Sequence, residues 1–163
     1  MVRCTTPTTI TAASGAFSNS DYVSKLLQRL SDASKSGVYR TSRTDEILDA
    51  TRGSALYVAR VDLAGAAAKE ALIGRIAKAL AFPEWFGGNW DALEDCLSDL
   101  SWLTAGGYVL LIDGAAEVPL VERGTLVDIL ASAAASWAER KRPFFAVFLD
   151  GPAALPELYN ARR

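Results

Sequence analysis

Eight carboxylates and no lysine or arginine lie between Lys78 and Arg123: Glu84, Asp91, Glu94, Asp95, Asp99, Asp113, Glu117 and Glu122. The net charge of the whole 163-residue chain is only -2, which hides this segregation. Unpaired carboxylates can accept charge-assisted hydrogen bonds from guanidinium and ammonium groups, bind a hard cation, or face water. Their spacing narrows the choice. Asp91, Glu94, Asp95, Ser98 and Asp99 fall at i, i+3, i+4, i+7 and i+8, so one helix carries them as a single stripe. Ala92, Leu93, Cys96, Leu97 and Leu100 form the opposite, apolar stripe. Like charges at i,i+4 repel by a few tenths of a kcal/mol per pair, so Asp91, Asp95 and Asp99 burden the helix. Asp91 suits the positive end of the helix dipole, but Asp95 and Asp99 sit toward its negative end. A face needed only for solubility would interleave lysines. Two readings stand: a solvated face, and a surface kept for a cationic partner.

Three aromatics flank the stripe: Trp85, Phe86 and Trp90. Large apolar side chains beside unpaired charge act as interface anchors. Core packing is the competing role, preferred for Phe86 and left open for Trp85 and Trp90.

Other chemistry is poorly provided for. Histidine is absent, which removes Ser-His-Asp and Cys-His catalysis and HExxH zinc sites. Cys4 and Cys96 are too few for a disulfide framework, and Cys96 on the apolar stripe reads as a structural thiol. Gly87-Gly88-Asn89 opens a helix that could take a phosphate, but Asp91 in the first turn would repel it. Asp91 and Asp95 alone offer too few oxygens for Mg²⁺ or Ca²⁺. No enzyme activity, cofactor or metal is expected. The mildly acidic balance, with a pI near 5.2, argues against direct nucleic-acid binding. The opening MVRCTTPTTITAASGAF lacks a continuous apolar run, and no run approaches 18 apolar residues. The expectation is a soluble cytoplasmic protein with no membrane contact.

The elements that must position the acidic stripe follow from periodicity and punctuation. Residues 1–19 are rich in Thr, Ser and Ala and carry no apolar pattern. Tyr22, Val23, Leu26, Leu27 and Leu30 predict a helix over 21–34, capped by Ser20. Val38-Tyr39-Arg40 fits a short strand and 44–52 a short helix. ALYVARVDL (55–63) alternates as a strand, and 66–80 reads as a helix. FPEWFGGNW (82–90) is a loop, and Asn89 is a natural N-cap for a helix to about Leu100. GYVLLID (107–113) and FFAVFLD (144–150) are buried strands, separated by an alanine-rich helix over 120–142 that Pro143 stops. Strands alternating with helices imply an α/β fold with a small parallel sheet.

FPEWFGGNWDALEDCL (82–97) closely resembles the signature of the barstar family, and the order of elements from 55 to 150 is similar too. The resemblance covers about two thirds of the chain. It implies a three-stranded parallel sheet packed with helices in an inhibitor domain over 55–152. An N-terminal helical extension over 1–54 would precede it, and a tail over 153–163 would follow. It further implies a 1:1 complex, formed by a free monomer, with a basic nuclease, a ribonuclease toxin by preference. The loop and helix of the signature would enter the enzyme's active-site cleft. Carried over by position, Trp85 is the loop aromatic, Asn89 the capping residue, and Asp91 and Asp95 the acids nearest the enzyme's cations. Trp90, Glu94, Ser98 and Asp99 take neighbouring contact positions. The chain departs from the family's namesake in three places. Tryptophan stands there for Glu94 and glutamate for Gly88, and a contacting glutamate on the last long helix has no counterpart in ILASAAASW (129–137). Differences of this kind would retarget an inhibitor. A non-nuclease toxin or another regulated protein is the alternative target.

Overall fold

In a computed structural model of the chain, residues 23–42, 44–83, 87–149 and 154–158 are described. Residues 23–30 are helical (α1), followed by strand β1 (Gly37–Thr41) and helix α2 (Thr44–Thr51). Then come β2 (Leu56–Asp62), α3 (Lys69–Ala79), α4 (Trp90–Asp99), β3 (Gly107–Asp113), α5 (Leu120–Glu139) and β4 (Phe144–Leu149). Ser20, Asp21, Tyr22 and Asp150 lie outside the described residues.

Among the described residues the sheet has four strands in the order β1-β4-β3-β2, all parallel. This corrects the three strands that the family resemblance implied. The added strand is β1, whose residues Gly37 to Thr41 register against Phe145 to Leu149. The reason lies in β4. Phe144, Phe145, Ala146, Val147 and Phe148 are all fully buried, so β4 is apolar on both faces and unsuited to an open edge. β1 takes the edge instead, and its own free side is covered in turn. Arg40 N donates to Pro156 O, Leu158 N donates to Arg40 O, and Leu158 is buried.

Alternation along the strands divides the core in two. Tyr108, Leu110, Ile112, Phe144, Ala146 and Phe148 face α3, α4 and α5. Val109, Leu111, Phe145 and Val147 face the other way, onto Leu26 and Leu30 of α1 and Ile47 and Ala50 of α2. The sheet therefore reads as continuous apolar runs because helices cover both sides.

Where α5 ends is also corrected. The sequence predicted a helix to residue 142; it stops at Glu139. Lys141 takes φ 64°, Arg142 N donates to Trp137 O, and Lys141 N donates to Ala138 O. This Schellman closure usually uses glycine, so a lysine gives no warning of it. α3 closes the same way on Ala81, at φ 53°. Gly107 is required for another reason: a Cβ there would stand 2.5 Å from Pro143 Cγ and 2.7 Å from Leu56 Cδ2. Among the described residues no helix is long and apolar enough to cross a membrane.

Candidate functional site

α4 starts as its sequence requires. Asn89 has extended backbone, and its side-chain Oδ1 accepts a 2.7 Å hydrogen bond from Ala92 N, the N-cap arrangement. Leu93, Leu97 and Leu100 are fully buried in the larger core cluster, and Cys96 is fully buried beside them. Leu100 terminates the helix in the left-handed region, at φ 46°, a conformation that costs a non-glycine residue about 1–2 kcal/mol. Burial of its side chain holds it there.

α5 grips α4 along its length. Ser132 Oγ donates to Glu94 Oε2 at 2.8 Å. Trp137 Nε1 donates to Leu97 O at 2.8 Å, and Arg140 Nη2 donates to Ser98 O. The Arg140 guanidinium lies 3.7 Å from the Trp137 ring centroid and also bonds Ser136 Oγ. α4 has no basic residue in its last turn, yet its negative end receives a cation from the next helix. Sequence reasoning missed Ser132, Trp137 and Arg140. The available signal was Ser132, Ser136 and Arg140 recurring every four residues on an otherwise alanine-rich helix.

The outward face is what remains. Asp91, Asp95 and Asp99 are exposed, and Ser98 is half-buried beside them. Among the described residues neither Asp91 nor Asp95 forms an ion pair, and Asp99 accepts only a 3.3 Å bond from Ser101 Oγ. Glu94 leaves the stripe for Ser132. Trp90 is half-buried against the core cluster, so the fold uses much of its surface. Trp85, Glu84 and Phe86 lie outside the described residues. Gly88 takes φ 75° with nothing within 4 Å of a built Cβ.

Cys96 is a buried free thiol beneath the stripe. Burial pushes its pKa above the usual thiol value, and the Asp99 and Asp95 carboxylates push it further the same way. Its thiolate is thereby suppressed. Among the described residues no group of three His, Cys, Asp or Glu side chains is placed to hold a metal ion.

Among the described residues, then, a parallel α/β sheet carries a clamped helix whose outward Asp91 and Asp95 form no ion pair. Residues 56–149, more than half of the chain, match the family described as Barstar (barnase inhibitor), and the chain belongs to that family. The match begins with the first residue of β2 and ends with the last of β4. α1, β1 and α2 stand outside it. No curated protein matches the chain.

Proposed function

We propose that the chain is a proteinaceous inhibitor, not an enzyme, that blocks the basic active site of a ribonuclease with α4 and the residues leading into it. The observation that carries this reading is the exposed pair Asp91 and Asp95, held on a rigid helix and without a cation among the described residues. A ribonuclease cleft gathers arginine and lysine to hold phosphate, and carboxylates at fixed spacing can occupy the phosphate positions. Asn89 fixes the start of the helix and Arg140 its end, so the carboxylates are pre-organised before binding. Trp85, Trp90, Ser98 and Asp99 would border the contact. The complex would be a 1:1 heterodimer of two monomers, formed in the cytoplasm, where Cys4 and Cys96 stay reduced.

Glu94 favours a partner other than that of the family's namesake. Its carboxylate is engaged by Ser132 at 2.8 Å, at the position where the namesake carries a tryptophan. The test is inhibition of RNA cleavage by barnase, alongside a panel of bacterial ribonuclease toxins, with the full chain in equimolar amount. Stoichiometric inhibition of at least one, competed by RNA, is the expected result. Binding that leaves RNA cleavage intact would make the chain a module for another target.

A further inference from the structure

Arg140 puts a fixed cation at the end of the acidic stripe. Two turns after Asp91, Ser98 returns to within about 20° of it around α4, and it stands about 60° from Asp95. The Ser98 carbonyl points toward the C-terminus of the helix and receives Arg140 Nη2. The guanidinium therefore stands beside the same face, about 10 Å along the axis from Asp91. The Trp137 ring covers one side of it, 3.7 Å away at the centroid, and Nε and Nη2 also reach Ser136. Arg140 is exposed, and among the described residues its Nη1 donates no hydrogen bond and the guanidinium forms no ion pair.

A fixed cation in this place restricts the partner. The footprint of a stable complex, roughly 800 Å² per partner, is about 30 Å across, so a protein seated on Asp91 and Asp95 also covers Arg140. Covered without a counter-charge, a guanidinium gives up its water with nothing in return, and opposite a lysine or arginine it is repelled. The groups that hold it within the fold, Ser98 O, Ser136 O and Ser136 Oγ, are all neutral. A carboxylate fits the Nη1 edge that they leave open. We propose that Arg140 is a specificity-determining contact of this same interface, pairing with a carboxylate on the rim of the nuclease's cationic cleft. This rests on the reading of α4 given above and narrows it. The partner that fits is not basic throughout: it carries an acid about 10 Å from the cation that meets Asp91. A nuclease with a lysine or arginine at that point of the rim is turned away.

The experiment uses the full chain with barnase and the panel of ribonuclease toxins, each catalytically inactivated. Kd is measured for the parent, Asp95→Ala, Arg140→Lys, Arg140→Gln and Arg140→Glu, together with the melting temperature of each free protein. Arg140→Lys and Arg140→Gln both lose the planar fork over Trp137, and only Arg140→Lys keeps the charge. For the enzymes that the parent binds, Arg140→Lys should stay within about twofold of the parent. Arg140→Gln should bind about fivefold more weakly, and Arg140→Glu about tenfold or more. The gap between Arg140→Lys and Arg140→Gln should shrink in about 0.5 M NaCl. If those two variants bind alike, weakened in step with their melting temperatures, Arg140 serves only to hold α4 and the proposal is overturned. Tighter binding by Arg140→Glu than by the parent would put a cation opposite the site and overturn it as well. If every Arg140 variant matches the parent while Asp95→Ala weakens binding, the acidic site stands without this contact. If Asp95→Ala binds like the parent, or the parent binds no enzyme, the reading of α4 falls and this inference with it.

Discussion

Asp91 and Asp95 are the side chains on which the binding reading can be tested most directly. Each is exposed in the free protein, and each would be desolvated against a guanidinium or ammonium in the complex. Replacing either by alanine should weaken binding to the nuclease by about 2–5 kcal/mol, mostly in the off-rate, a range drawn partly from a complex of this family. Folding stability should hold or rise slightly, since one of three stacked like charges is gone. Surface plasmon resonance with parallel urea melts would check both, and unchanged affinity in both variants would reduce the stripe to a solvated face. Cys96 gives a second residue-scale expectation. Its raised pKa means that the unfolded chain releases the thiol proton first, from about pH 9 upward. Over that window the folded state binds more protons than the unfolded state, so stability falls as pH rises. Below it the thiol is neutral in both states and contributes no slope. Urea denaturation from pH 8 to 10.5 should show a steeper decline for the parent than for Cys96→Ala; equal slopes would mean that the thiol is not held neutral.

At the scale of elements, α1, β1 and α2 matter more than their position outside the family match suggests. They cover the face of the sheet made by Val109, Leu111, Phe145 and Val147, and β1 closes the edge of β4. Residues 23–51 pack as part of the domain's core. A chain starting at Ala55 should bind a hydrophobic dye, aggregate and lose its cooperative melt, whereas deletion of residues 1–19 should leave affinity within a few-fold. A truncated chain that melts cooperatively would show that the match region folds alone. The grip of α5 on α4 belongs to this scale as well. Trp137 and Arg140 satisfy carbonyls at the end of α4 that α4 itself leaves open, fixing the direction in which Asp95 and Asp99 point.

For the whole molecule, charge segregation is the feature with kinetic consequences. The segment between Lys78 and Arg123 gives a nearly neutral chain a local balance of eight carboxylates and no base. Association with a basic nuclease should therefore slow steeply with added salt, while dissociation changes little. Stopped-flow mixing between about 50 and 500 mM NaCl would measure this, with Glu84→Gln and Asp99→Asn flattening the dependence. An on-rate indifferent to salt would remove electrostatic steering from the account.

The parallel α/β class, the ends of β3, the Asn89 cap and the two stripes of α4 were legible in the residues alone, because each is set by periodicity or by residues within one turn. So was the acidic segregation, which needs no coordinates. The fourth strand was only partly legible. Val38-Tyr39-Arg40 reads as a strand, but five residues carry too little pattern to say which neighbour they pair with. That pairing was decided by the apolar edge of β4, over a hundred residues away. The end of α5 was misplaced because a lysine, not a glycine, takes the left-handed position. Packing between elements settles that Glu94 turns from the stripe to Ser132, that Trp90 lies half-buried on the core, and that Arg140 supplies the charge missing from α4. Each of these depends on what stands across the gap between two helices, and helical periodicity carries no information about that partner.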